Sequence, residues 1–240
     1  MAAVLIGIDD TDNIENPGTG RLARRLGEEL CARGAGMLGI TRHPLLHDPR
    51  IACTRYNKAA CIAIEWSGPM SELEFVVEFI REGSAGGSDP GVCLCLADAV
   101  APPIVEWGIA ATQRVLAKSA AERLAGEHRL DLRALGGNGD GIIGALAAVG
   151  LRVGGNQGRF IDLPRLRSLA EFVTGEELDR MGIEVEHCSP AKPNGAAGRY
   201  RTSDWVRPRL VRGRPVWPVQ WSEHERAWIA IDHRKVHPDE

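Results

Sequence analysis

Residues 3–6, Ala3-Val4-Leu5-Ile6, form an unbroken apolar run, and shortly after it Asp9, Asp10 and Asp12 place three carboxylates within four positions. A short apolar run bounded by polar residues reads as a buried strand over 4–8, which needs other elements packed on it. The acids at its end are the tighter constraint. Clustered carboxylates repel one another, and a fold that gathers them there needs a counter-charge, for which a hard divalent cation is well suited. The alternative is an ordinary turn in which one Asp caps the next helix and the others are solvated.

The pattern downstream extends this to a fold class. Leu22, Leu26 and Leu30 recur at a spacing of four inside 18–34 and predict a helix. Apolar segments at 37–41, 59–66 and 92–96 predict strands. Ser71 with Glu74 has the form of a capping box, and Leu73, Val76, Val77 and Ile80 form the apolar stripe of the helix expected after it, ending near Gly83. Pro102-Pro103 opens a helix expected to reach about Lys118, with a further turn or two to Leu124, and 142–149 is an apolar helix. Strands alternating with helices predict an α+β or α/β fold with helices packed on a mixed sheet.

Beyond Gly150 the texture changes to a helical segment around 163–181 and a tail rich in Pro, Arg and Trp, with short strands expected at 216–217 and 228–231. The expected organisation is a nucleotide-binding domain over 1–153 and a smaller C-terminal Arg/Trp-rich α+β subdomain over 154–240.

A chain of 240 residues, 44% hydrophobic and 25% charged, can bury a substantial core. Its formal net charge of −3 supplies no global basic field, so any contact with nucleic acid must be local. No apolar stretch approaches the roughly 20 residues of a membrane span, and there is no signal-peptide pattern at the N-terminus, so a cytoplasmic protein with no membrane partner is expected. The six cysteines lack Cys-x-x-Cys spacing and read as reduced core thiols, although Cys93 and Cys95 would share one strand face.

Three motifs carry chemistry. The acidic loop is followed by Pro17-Gly18-Thr19-Gly20 at the head of a helix, an order in which carboxylates could hold Mg²⁺ while glycines and free amides admit a phosphate. Gly136-Gly137-Asn138-Gly139-Asp140-Gly141 leads straight into an apolar helix and could cradle phosphate or be a simple linker. Thr54-Arg55-Tyr56-Asn57-Lys58 is either a cationic flank for a nucleotide or a solvated basic loop. His43 and His47 lie in a proline-interrupted segment and make a poor metal pair.

Taken in order, Gly7-Ile8-Asp9-Asp10-Thr11-Asp12, Thr54-Arg55-x-Asn57, Asp89-Pro90-Gly91 and the 137–148 stretch resemble the N-terminal region of archaeal tRNA-isoleucine agmatidine synthetase, TiaS. The resemblance covers about 4–150, with a fainter echo at Thr202-x-Asp204-Trp205-Val206-Arg207-Pro208. It implies a kinase-like domain that uses ATP and Mg²⁺ to phosphorylate an anticodon cytidine before agmatine displaces the phosphate. By position it implies catalytic roles for Asp9, Asp10, Asp12, Arg55 and Lys58, the three aspartates also holding metal. Nucleotide contacts are implied for Thr11, Gly18, Thr19, Gly20, Asn57, Gly137, Asn138, Gly139 and Gly141.

The family's enzymes continue into an OB-fold and a cysteine zinc ribbon, and no paired-cysteine ribbon is present in these 240 residues. Where the family has an autophosphorylated threonine pair, Arg21 stands here, with Thr19 as a substitute. The expectation is an ATP- and Mg²⁺-dependent phosphotransferase or ligase whose acceptor is a tRNA or a small molecule, with a homodimer left open. The competing readings are a nucleotide- or RNA-binding module without catalysis, using the tail's arginines and tryptophans, and a metal-dependent phosphoesterase.

Overall fold

The structure, a computed structural model, describes residues 2–13, 15, 18–54, 56–188, 198–202 and 206–231. Strand β1 (Ala2–Asp9) lies between β3 (Lys58–Trp66) and β4 (Gly91–Leu96), antiparallel to both. Beyond β3 comes β2 (Gly36–Pro44), and β5 (Asp131–Ala134) forms the edge beside β4.

Side-chain alternation sorts this sheet into two cores. Val4, Ile6, Ile8, Ala60, Ile62, Ile64, Val92 and Leu94 face one side, where α1 (Thr19–Ala32) and α2 (Phe75–Gly83) supply Leu22, Leu26, Leu30, Val76 and Ile80. Leu5, Cys61, Ala63, Cys93 and Cys95 face the other, under α3 (Pro102–Ala111), α4 (Lys118–Glu127) and α5 (Gly141–Gly154). The central helix α5 comes unusually close. A Cβ on Gly7 would lie 2.1 Å from the Ala145 carbonyl oxygen, and one on Gly91 would lie 2.3 Å from the Gly141 carbonyl carbon.

The sheet continues from β2 through β6 (Arg159–Asp162) into β10 (Arg209–Val211), β11 (Arg214–Ser222) and β12 (Ala227–Ala230). Then follow β9 (Arg199–Arg201) and β7 (Phe172–Thr174), while β8 (Glu184–His187) pairs with β11. A third core gathers Phe160, Leu178, Tyr200, Trp217, Val219 and Trp228 there. The architecture is α+β, with helices packed on a large mixed sheet.

Several local expectations are corrected. The helix expected around 163–181 is replaced by a turn after β6, a 3₁₀ turn, β7 and the short α6 (Gly175–Arg180). Pro164 and the left-handed Arg165 (φ 67) break it, and the Thr174–Glu177 capping box starts α6 afresh. Ser71 caps nothing by its side chain: it lies in a 3₁₀ turn, Met70–Leu73, and the Glu74 carboxylate is engaged with Arg133 at 3.0 Å. The helix from Pro102 stops at Ala111, where the Thr112 hydroxyl donates back to the Ile109 carbonyl at 2.7 Å. That break frees 114–117 to form a wall of the pocket described next.

Candidate functional site

Asp9 is the last residue of β1, and the two-residue repeat puts it on the face of Leu5 and Gly7, under α5. Its carboxylate reaches the first turn of that helix: a Cβ on Gly144 would lie 1.8 Å from Asp9 Oδ2, so only glycine fits there. Helix N-termini carry partial positive charge, which suits an acid in that place. The chain then turns through Asp10, held in the left-handed region at φ 53, a conformation aspartate tolerates better than most residues.

The third acid is fixed by hydroxyls. Thr19 Oγ1 donates to Asp12 Oδ1 at 3.2 Å, and Thr54 Oγ1 donates to Asp12 Oδ2 at 3.3 Å, tying the acidic loop to α1 on one side and to the 54–58 segment on the other. Thr11 donates to Thr19 at 3.2 Å, and both are buried. Thr19 is thereby a structural link, and its burial argues against the accessible hydroxyl that a phosphoacceptor requires.

These acids open onto a pocket of about 320 Å³. Asp9, Asp10, Asp12, Asn57, Lys58 and Gly141 line it, joined by Asp89 and Asp140, while Arg50, Arg114 and Lys118 bring positive charge. Leu45, Ile51, Val115, Leu116 and Tyr56 give it a largely apolar wall. Lys58 Nζ lies 4.1 Å from the centre of the Tyr56 ring. Asn57 donates to the Leu46 carbonyl at 2.8 Å, so its amide also pins the loop that carries Leu45.

Thr11, Gly18, Thr19 and Gly20 lie behind the pocket lining, and so do Gly137, Asn138 and Gly139. The glycine loop instead holds Asp89: the Asn138 amide donates to Asp89 Oδ1 at 2.6 Å and the Gly141 amide to the Asp89 carbonyl at 3.1 Å. The Asp140 amide is taken by Asn138 Oδ1 at 2.8 Å. With these amides engaged, the loop is built to place an acid rather than to present free donors to a phosphate. Arg55 lies outside the described residues, as do Pro17, Asp204 and Trp205.

Sequence reasoning left Asp89, Asp140 and Lys118 off the site. Asp89 stood in the noted Asp-Pro-Gly triplet and Asp140 inside the glycine run, but nothing around Lys118 distinguished it from a surface lysine. Lys118 Nζ meets the Asn138 carbonyl and lies 3.8 Å from Asp140 Oδ1.

The electrostatics explain why the site calls for a cation. Burial pushes the Asp9 carboxyl up to about 7, with the charges of Asp10 and Asp12 adding to the shift and the Asp10 amide opposing it. Burial likewise raises Asp10 to about 6, helped by the charges of Asp89, Asp12 and Asp140, against the Asp89 amide. A cluster of carboxylates of this kind suits Mg²⁺. Among the described residues no three His, Cys, Asp or Glu side chains form a finished metal cage. That accords with the habit of Mg²⁺ to take one or two carboxylates and complete its shell with phosphate oxygens and water.

All six cysteines are free thiols: Cys61, Cys93 and Cys95 are buried beneath α5, while Cys53 lines the pocket beside the acids. His43 is buried too, bonded to Thr41 Oγ1 and to the Gln157 carbonyl, each at 2.8 Å. No helix of the described residues is long and apolar enough to cross a membrane.

Among solved structures, a complex of TiaS with an isoleucine tRNA and ATP matches with a TM-score of 0.54 and 29% identity, covering 62% of this chain and 36% of that chain. A complex of TiaS with the same tRNA, AMPCPP and agmatine matches with a TM-score of 0.53 and 28% identity, over 62% and 36%. A tRNA fluorescent labeling enzyme matches with a TM-score of 0.52 and 30% identity, again over 62% and 36%. This part of the chain has a TiaS-like fold, and the chain spans little more than a third of the length of the structures it resembles. No protein-family model and no curated protein matches it.

Proposed function

We propose that this chain is a TiaS-related enzyme that uses ATP and Mg²⁺ in a phosphotransfer or ligation reaction, with a tRNA or a small molecule as acceptor. The observation that carries this reading is the convergence of Asp9, Asp10, Asp12 and Asp89 on one pocket flanked by Lys58 and Lys118, on a fold similar to a protein solved with ATP. A bound Mg²⁺ would supply charge neutralisation between the carboxylates and the phosphates.

The roles of the chain's own groups follow from their positions. Asp10 and Asp12 face the pocket and are the first choice for holding Mg²⁺, with Asp9 behind them against α5. Thr54 and Thr19 fix the orientation of Asp12. Lys58 and Lys118 stand where a transferred phosphoryl group needs positive charge, and the apolar wall with Tyr56 offers a surface for a base. Arg55 is retained as a candidate from sequence alone.

The test is ATP consumption by the purified chain with Mg²⁺, measured with and without tRNA, in wild type and in Asp10→Asn. Loss of turnover in a folded Asp10→Asn protein is expected. Unchanged turnover in that variant overturns the assignment, and phosphate release from simple esters without nucleotide moves it to a phosphoesterase. Trp217 and Trp228, two of the tail tryptophans on which the binding-module reading drew, are buried in the third core and are not free to stack on bases.

A further inference from the structure

Strand β5 ends the sheet, and its outer edge has no neighbour among the described residues. The direction of its backbone groups follows from the residue that leaves it. The Leu135 N–H donates to the Pro90 carbonyl at 2.8 Å, so residue 135 points towards β4. Backbone groups alternate in direction along an antiparallel strand. Asp131 and Arg133 therefore also point to β4, while the N–H and C=O groups of Leu132 and Ala134 point away from it. An open edge of this kind is a template for another strand, and folds commonly cover it or charge it.

Neither defence is complete here. Helix α2 stands off from β5 across a groove of about 340 Å³ lined by Phe75, Val77, Arg133 and Leu135, which leaves the edge uncovered on that face. At the far end of the sheet β7 is closed differently: the N–H of its last residue, Thr174, is taken by the Glu177 carboxylate at 2.7 Å. The charges of β5 are mixed in sign. Asp131 and Arg133 flank Leu132 and share the α2 face, bonded to each other at 2.7 and 2.8 Å and, through Arg133, to Glu74 at 3.0 Å. A row of lysines would repel a second copy of this strand, whereas one acid and one base in alternate positions complement it.

These charges also select a register. With Leu132 opposite Leu132 of a second copy, an antiparallel pair sets each Asp131 opposite Arg133 of the other copy. The outward N–H and C=O of Leu132 then exchange two hydrogen bonds across the twofold axis, and Ala134 stands opposite Leu130. Parallel pairing in register would set Asp131 against Asp131 and Arg133 against Arg133, which is destabilising. A shift of one residue would present Asp131 or Arg133, whose backbone groups are engaged with β4, to the new strand.

We propose that the β5 edge is a homodimer interface, in which two copies pair antiparallel about Leu132, Asp131 and Arg133 form reciprocal ion pairs, and the sheet runs on from one copy into the other. Strands of four residues make a short contact, so the dimer is a weak one, with Kd on the order of tens of micromolar. This interface does not rest on the ATP-dependent reading above.

The test is sedimentation velocity of the full chain over a concentration series that spans this Kd. Wild type should pass from monomer to dimer. Ala134→Pro removes an outward N–H that β4 does not use, at a place where an edge strand tolerates proline. It deletes two hydrogen bonds per dimer and should weaken association about tenfold or more. Asp131→Arg and Arg133→Asp should each stay monomeric, because self-pairing then sets like charges opposite. Mixed in equal amounts, these two variants should form a heterodimer in which every arginine faces an aspartate. Circular dichroism melting curves establish that each variant is folded. Wild type that stays monomeric throughout overturns the proposal and leaves the edge to a strand of another protein. A dimer of unchanged strength in Ala134→Pro or in the single charge variants, or no association when the folded charge variants are mixed, overturns it as well.

Discussion

Asp10 carries two opposed costs, a left-handed backbone and a carboxylate crowded by Asp89 and Asp12. Its raised pKa means that the metal-free folded state holds a proton that the unfolded state gives up, so the stability it contributes is full below 3.8 and is lost as pH rises through about 6. Asp10→Asn removes the charge and keeps a side chain that tolerates the same backbone. The metal-free variant should therefore gain about 1 kcal/mol above that pH, a modest figure because water screens part of the repulsion at a half-exposed group, while losing ATP turnover. Denaturant unfolding in chelator checks this, and a variant less stable than wild type at every pH counts against crowding.

His43 has the opposite sign. Its Nδ1 must donate to the Gln157 carbonyl and its Nε2 accept from Thr41, an arrangement complete for the neutral ring, and burial holds its pKa down to about 4. The unfolded state takes up a proton that the folded state refuses, so stability contributed by His43 is full above 6.5 and is lost as pH falls towards 4. The advantage of wild type over His43→Gln should shrink across that window. A difference that stays flat would remove His43 as the source.

At the scale of elements, the site depends on how closely α5 can lie on β1. Gly7 and Gly144 are both notches, one for the helix backbone and one for the Asp9 carboxylate. Gly7→Ala would drive a methyl into the Ala145 carbonyl and should cost about 3 kcal/mol, with the shift of α5 also lowering ATP turnover. Gly126→Ala, within α4 and with open space around it, serves as the control and should stabilise slightly. Urea midpoints for the two variants decide it, and equal midpoints would mean that α5 can move at little cost.

This level was partly legible in the sequence. Apolar runs and leucine spacing marked β1, β3, β4 and α1 because burial on one or both faces writes a period into the chain. The three aspartates at the end of β1 were readable as a cluster for the same local reason. The convergence of Asp89, Asp140 and Lys118 on them was not, because it depends on β4, the glycine loop and α4 meeting through long-range pairing. The failure at 163–181 has a different cause. There, the three-residue strand β7, paired at Tyr200, and the short α6 leave too few residues per element for a period to register.

In the whole molecule, the sheet is continuous but its middle is narrow. Between β6 and β10 a single registered pair, Arg159 with Arg209, is supplemented by backbone bonds from Phe160 to Pro208 and from Leu210 to Gly158. On one side lie the two cores that flank β1; on the other lies the third core around Trp217 and Trp228. We propose that the seam divides two units, with the chain crossing it after β6, that unfold as separate cooperative steps. Trp217 is buried within the third core, so Trp217→Ala should cost that unit about 3–5 kcal/mol and leave the first largely intact. Calorimetry should then show one transition lowered and a second unmoved, with the unmoved one shifted upward by Mg²⁺ and ATP, because ligands stabilise the state that binds them. A single transition lowered as a whole would mean that the arginine seam couples the halves into one folding unit. Arg159→Gln, at the registered pair of the seam, would then destabilise both halves together.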